Sequence, residues 1–208
     1  MKILLIDGHP DEGRYSSHLL DVYENALPPD SRVRRIAVRD LTFTPNLRHG
    51  YARRTDWEPD VLRVAEAFDW CDHVALSFPM WWGAEPAMVK GLLDRVMLPG
   101  FMFAYHEHDT FWDRLMAGRS ADAIITMDTP PWFLRLAYGN SIIHRWRKQV
   151  LGFVGFKPVR ILPLGQVKRG GAEKNGAKWE ARIRKMAGSI APARPDQKEA
   201  RLQRFLGS

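Results

Sequence analysis

Along the chain, short β-prone or apolar runs alternate with longer stretches in which apolar positions return every three or four residues. Ile3–Ile6, Val33–Val38, Val74–Phe78, Ala121–Thr126 and Val159–Leu164 each have the length and composition of a strand. Between them, Ser16–Leu27, Trp57–Trp70, Glu85–Val96, a stretch from about Phe133 to Phe153, and Lys174–Ile190 carry helical periodicity. Strands that are almost continuously apolar are buried on both faces, and right-handed crossover helices are what bury them. The expected fold is therefore α/β, a doubly wound three-layer sandwich around a five-stranded parallel sheet. Ligands of such sheets bind beyond the carboxyl ends of the strands, where the strand order reverses. That directs attention to the loops after the first, third and fourth strands.

Composition adds limits. With 208 residues, of which 45% are hydrophobic, the chain suits one globular domain, expected over residues 1–190. The tail from 191 to 208, with Pro192 and Pro195, is expected to be a frayed or partner-contacting extension. No run approaches the roughly 18 apolar residues of a membrane span. The apolar start from Met1 to Ile6 stops at Asp7, short of a signal-peptide core. Cys71 is the single cysteine, which excludes an internal disulfide and a cysteine-based metal site, and fits a cytoplasmic setting. His106-Glu107-His108-Asp109 lacks a third histidine nearby and reads as a solvated turn, so no metal is expected.

Lys and Arg number 31 against 24 Asp and Glu, a formal +7. The cations cluster at Arg32–Arg39, Arg145–Lys148, Lys168–Arg169 and Lys178–Lys185, without a nucleic-acid motif among them, so no specific nucleic-acid partner is expected.

The first loop runs Asp7-Gly8-His9-Pro10-Asp11-Glu12-Gly13-Arg14-Tyr15-Ser16-Ser17, with Ser16 expected to cap the following helix. A helix start with free N–H groups, hydroxyls, a guanidinium and an imidazole suits a phosphate. The alternative is an ordinary capped turn. The glycine spacing of a P-loop or a dinucleotide fingerprint is missing, which argues against nucleotide hydrolysis. The second loop, Ser77-Phe78-Pro79-Met80-Trp81-Trp82-Gly83-Ala84-Glu85-Pro86, places two tryptophans side by side at a strand end. Consecutive side chains diverge, so at least one of them is expected to face a cavity suited to a flat aromatic ligand.

The block from Phe78 to Val96, with its Phe-Pro, aromatic pair, Lys90-Gly91 and Asp94-Arg95-Val96, followed by Pro99-Gly100-Phe101, resembles the signature of the flavodoxin-like NAD(P)H:quinone reductases. That family includes DT-diaphorase and the ancillary oxidoreductases of potassium-efflux systems. His9-Pro10 with Tyr15-Ser16, Asp40-Leu41 with Phe43 and Pro45, and Gly155-Phe156 extend the resemblance over about residues 2–190. It implies a flavodoxin-like fold and a non-covalent flavin, FMN or FAD. The flavin phosphate would lie at His9, Tyr15, Ser16 and Ser17, and its ring against Pro79, Met80, Trp81, Trp82 and Gly83; Arg14 stands where members often carry a small hydroxyl residue, and either adds a phosphate contact or is solvated.

The third loop departs from the family. Many members have Thr-Thr-Gly-Gly where this chain has Thr126-Met127-Asp128-Thr129-Pro130-Pro131-Trp132. The N–H groups at Asp128 and Thr129 are still expected near the ring, with Trp132 and Phe133 as a roof over the acceptor. Tyr138 and His144 are the nearest counterparts of the family's active-site tyrosine and histidine, and neither is assigned a catalytic role.

The resemblance further implies hydride transfer from NADPH or NADH, two-electron reduction of a quinone-like acceptor in the same pocket, ping-pong kinetics and a homodimer. Two other readings are a flavodoxin-type electron carrier, which the basic charge disfavours, and a regulatory flavoprotein that partners a membrane transporter.

Overall fold

The structure, a computed structural model, describes residues 1–191 and 201–207; Pro192 and Pro195 lie outside them. In chain order the elements are β1 (Lys2–Asp7), α1 (Tyr15–Glu24), β2 (Arg32–Ala37), α2 (Pro59–Trp70), β3 (His73–Pro79) and α3 (Ala87–Val96). Then come β4 (Phe103–Tyr105), β5 (Trp112–Arg114), β6 (Ser120–Thr126), α4 (Pro131–Tyr138), α5 (Ser141–His144) and α6 (Leu151–Val154). The last are β7 (Val159–Leu164), α7 (Ala172–Ala187) and α8 (Arg201–Leu206).

Five strands form one parallel sheet in the order β2-β1-β3-β6-β7. The chain moves outward from β1 to β2 and then crosses back over β1 to β3, so the order reverses between β1 and β3. This is where side loops part and leave a crevice. Period-two alternation assigns side chains to the two faces. Leu4, Ile6, Val74, Leu76, Phe78, Ala121, Ala123 and Ile125 join α2 and α3 in one core. Ile3, Leu5, Ala75 and Ile124 join α1 and α7 in the other. The expected three-layer sandwich is thus present, with β2 as an edge strand whose Arg34 guanidinium lies 4.4 Å from the Trp70 ring centre.

Three features depart from the sequence reading. The helix expected over about 133–153 is broken where Gly139 and Asn140 adopt left-handed backbone, and it continues through α5, a π-helical turn Arg145–Val150 and α6. The two-stranded β4–β5 hairpin was not anticipated. The tail is not frayed over 201–207. Leu202 and Phe205 of α8 are buried, with the Phe205 ring 4.6 Å from Trp57 and 5.7 Å from Phe101. No helix among the described residues is long and apolar enough to cross a membrane.

At the amino edge of the sheet a polar cluster is sealed in. The Tyr23 hydroxyl donates to Asp122 (2.6 Å) and lies 2.9 Å from His73 Nε2, whose Nδ1 is 2.7 Å from Ser120 Oγ. Arg160 donates twice to Asp122, at 2.7 and 2.6 Å. Burial pushes the Asp122 carboxyl up, but the bonds from His73, Arg160 and Tyr23 outweigh it, so the group is held below its ordinary value.

Candidate functional site

At the carboxyl ends of β1, β3 and β6 an open depression of about 630 Å³ is walled by the first, second and third loops together. Its lining includes His9, Arg14, Tyr15, Ser16, Pro79, Met80, Trp81, Thr126, Met127 and Asp128, all expected from the sequence. Ser17, Trp82, Gly83, Thr129, Trp132 and Phe133 are not on this wall. Pro10, Asp11, Gly13, Val167 and Lys168 are on it without having been singled out for it.

The first loop is held by backbone bonds. Gly8 N–H donates to Ser77 O (2.8 Å), and the Ser77 hydroxyl donates to Ser16 O (2.6 Å), pinning the start of α1 to β3. The residue at the cap is Arg14 rather than Ser16: its backbone is extended and its carbonyl accepts from the Ser17 and His18 N–H groups. Ser16 instead sits inside the first turn, 2% exposed, and its hydroxyl has no hydrogen-bond partner. A buried hydroxyl without a partner costs about 1–3 kcal/mol unless a ligand meets it. Together with the open N–H groups of a first helical turn, it makes a cradle for an anion. The Tyr15 ring rests on His18 and Trp179, and burial, with the nearby Glu180 charge, raises its phenol, which stays protonated.

His9 faces the cavity beside Trp81, edge to face at 5.7 Å and 84°. Burial pulls its imidazole below the ordinary value despite nearby Asp7 and Asp11, so it is neutral at neutral pH. His9 Nδ1 lies 3.0 Å from the Asp11 amide nitrogen and 3.1 Å from the Asp11 carbonyl oxygen, which fixes the ring against the loop backbone. Arg14 is paired with Asp11, whose carboxyl it holds below the usual range.

The second loop closes on itself. Trp81 N–H donates to Ala84 O (2.9 Å) and Ala84 N–H to Trp81 O (3.0 Å), around Trp82 at φ +52 and Gly83 at φ +77. Left-handed backbone at both central positions is the tight-hairpin turn that favours glycine, and a tryptophan there costs about 1–2 kcal/mol. This handedness separates the two indoles: Trp81 turns into the wall and Trp82 stands wholly in solvent. The turn is anchored by the buried Glu85 carboxylate, which pairs with Arg145 and accepts from Trp146 Nε1 (3.0 Å).

In the third loop, the Asp128 side chain has a task that a glycine could not perform. It accepts from Lys168 N–H (2.8 Å), while Met127 N–H donates to Leu164 O (2.8 Å), so the loop is stitched to the segment after β7. Gly165 permits this approach, since a Cβ there would lie 2.5 Å from Thr129 O and 2.5 Å from Pro131 Cδ.

Comparison with known proteins agrees with this architecture. A Ribosyldihydronicotinamide dehydrogenase-like protein, traD, of Penicillium crustosum is 35% identical over 74 residues, 33% of this chain and 28% of that one. An FMN-dependent NADH:quinone oxidoreductase of Ruegeria pomeroyi is 33% identical over 106 residues, 50% of this chain and 52% of the relative. The chain therefore spans from about a quarter to about half the length of these two relatives. A protein of the same name from Nitratidesulfovibrio vulgaris is 27% identical over 170 residues, 77% of this chain and 74% of the relative. A putative quinone reductase of Klebsiella pneumoniae superposes with a TM-score of 0.75 at 22% identity, covering 92% of this chain and 86% of that one, a likeness of fold. The model of the family described as having a flavodoxin-like fold matches residues 1–187, and the chain belongs to that family.

Proposed function

We propose that the chain is a flavin-dependent NAD(P)H oxidoreductase that reduces quinones or similar flat acceptors by two electrons. The observation that carries this reading is the joining, in one depression, of a buried hydroxyl that lacks a partner at a helix start with the flat apolar wall of Trp81. The names of the relatives, NADH:quinone oxidoreductases described as FMN-dependent, support it.

The residues present fit FMN, or the corresponding half of FAD. Ser16 and the N–H groups at the start of α1 would bind the phosphate, with Arg14 adding charge at the mouth. Pro79, Met80 and Trp81 would hold one side of the ring, and Thr126, Met127 and Asp128 the other. The bound flavin supplies a ring that takes hydride from NADPH or NADH and delivers two electrons to the acceptor. Trp81 shields the ring from water, and neutral His9 lines the cavity without placing a full positive charge against it. Donor and acceptor would use the same open face in turn, hence ping-pong kinetics.

A cytoplasmic setting and a homodimer belong to the same reading, with a membrane transporter as the alternative partner. The exposed Trp132, Leu136 and Tyr138 on α4 are a surface that either would cover.

The test is the absorbance spectrum of purified protein, followed by anaerobic NADPH or NADH and then a quinone. Bleaching of the flavin band and its recovery are expected. Inability to hold FMN or FAD after reconstitution would overturn the reading, and a bound flavin that neither donor reduces would point to an electron carrier. A second expectation concerns the third loop. Gly165→Ala should push Thr129 and Pro131 outward and raise the FMN dissociation constant about tenfold, roughly 1.4 kcal/mol, measured by fluorescence titration.

A further inference from the structure

A depression of about 680 Å³ lies at the opposite end of the sheet from the one already described. It opens where β7 begins, at Val159, whereas the first lies beyond the end of β7, at Val167 and Lys168. A strand of six residues, about 20 Å, runs between them.

Three segments build its wall. The end of β5 brings Arg114, the π-helical turn Arg145–Val150 brings Arg147 and Lys148, and the segment before β7 brings Lys157. Gly155 lets them meet. Its φ is +112, and a Cβ on it would lie 2.7 Å from Ala117 N and 2.9 Å from Arg114 Cβ, so a side chain there would part the hairpin from the helical turn.

The wall carries four exposed cations and no carboxylate. Among the described residues, no ion pair or hydrogen bond engages the side chains of Arg147, Lys148 or Lys157, and Arg114 has only the Trp112 ring, 5.6 Å from its guanidinium carbon. Asp113, the carboxylate next to Arg114 in the chain, is 3.3 Å from His106 Nε2 instead. Four like charges gathered around a concavity raise a positive potential that an anion relieves. Forked guanidiniums beside ammonium groups match the oxygens of phosphate, and one phosphate monoester brings at most about two negative charges against the four positive ones. The wall's aromatic residue, Phe156, is buried, so no exposed ring offers a base a platform and no large apolar side chain stands out to enter a bilayer.

We infer that this depression binds a small soluble compound carrying two or more phosphate groups, at a site separate from the one proposed for the flavin. The binding depends on Arg114 and Arg147 together, which come from different elements and face the same space.

The test is isothermal titration calorimetry of the full chain with inorganic pyrophosphate and with inorganic phosphate. Pyrophosphate should bind about tenfold or more tighter than phosphate, with an affinity that falls as salt is raised. Arg147→Gln should weaken pyrophosphate about tenfold, and Arg114→Gln/Arg147→Gln by about a further tenfold. Because the replaced side chains are exposed and repel their neighbours, the melting temperature without ligand should hold or rise. Two controls should bind as wild type does: Arg182→Gln/Lys185→Gln, which removes the same charge from the exposed face of α7, and Ser16→Asp, which closes the cradle at the start of α1. An equal loss in the α7 variant would mean general attraction to a basic chain and overturn the inference. So would binding lost in Ser16→Asp but kept in Arg114→Gln/Arg147→Gln, which would put pyrophosphate in the other depression. Wild type that ignores pyrophosphate overturns it as well, and if that protein instead binds phosphatidylglycerol vesicles through Arg147, the patch meets a membrane.

Discussion

On the flavin reading proposed above, replacing Ser16 by aspartate should abolish flavin binding while the chain still folds. Ser16 lies in the first turn of α1, where the helix dipole offsets part of the cost of placing a carboxylate at a position only 2% exposed, so a modest fall in melting temperature is expected while the chain still folds. The same carboxylate would stand where the proposed flavin phosphate sits. Two like charges about 4 Å apart near a protein surface repel by about 4 kcal/mol. The hydroxyl that now lacks a partner would also be lost as a donor. A loss of flavin affinity of at least a hundredfold is therefore expected, read as flavin lost on gel filtration by a protein whose circular dichroism spectrum is that of the folded wild type. A Ser16→Asp variant that retains its flavin would place the phosphate elsewhere.

The second large effect lies at the opposite edge of the sheet. Asp122→Ala would leave Arg160, Tyr23 and His73 without their common acceptor inside the fold. Removing one member of a buried charged cluster costs about 3–5 kcal/mol, with the lower end expected because Arg160 is partly exposed. At the usual scaling for a chain of this size, the melting temperature should fall by roughly 6–12 °C. The pH dependence has a definite sign. Because the folded Asp122 carboxyl is held below its ordinary value, its contribution is complete above the unfolded pKa of about 4 and disappears as pH falls through the folded one. The stability gap between wild type and variant should therefore be constant from about pH 5 to 7 and close below about pH 4 in urea titrations.

The main sheet was legible because each strand core is short, apolar and bounded by turn residues. Asp122, a charge between Ala121 and Ala123, was the one visible sign of the buried cluster, since its partners come from α1, β3 and β7. The β4–β5 hairpin has strands of only three residues, Phe103–Tyr105 and Trp112–Arg114, too short for alternation to register. The helix expected over 133–153 breaks at Gly139 and Asn140 through backbone handedness, which apolar periodicity does not encode.

In the site, residue types placed the first two loops, and backbone geometry decided which side chains face inward. Ser16 and Ser17 are adjacent in sequence yet only Ser16 lines the depression, because consecutive helical positions diverge by about 100°. Trp81 and Trp82 were indistinguishable until the left-handed turn parted them. Lys168 was visible only as half of a cation pair, because it follows the last strand, outside the three loops to which the strand order points, although the Asp128 side chain accepts from its N–H.

The exposed Trp82 also gives the protein an optical label of its own. Of its eight tryptophans, this one has its indole wholly in water, next in sequence to Trp81 of the depression's wall. Its emission should lie at the red edge of the protein's spectrum, and a yellow chromophore seated next to the same turn would accept its excitation energy. The difference spectrum between wild type and Trp82→Phe therefore isolates a built-in gauge of how full the cavity is, readable in a cuvette without a dye.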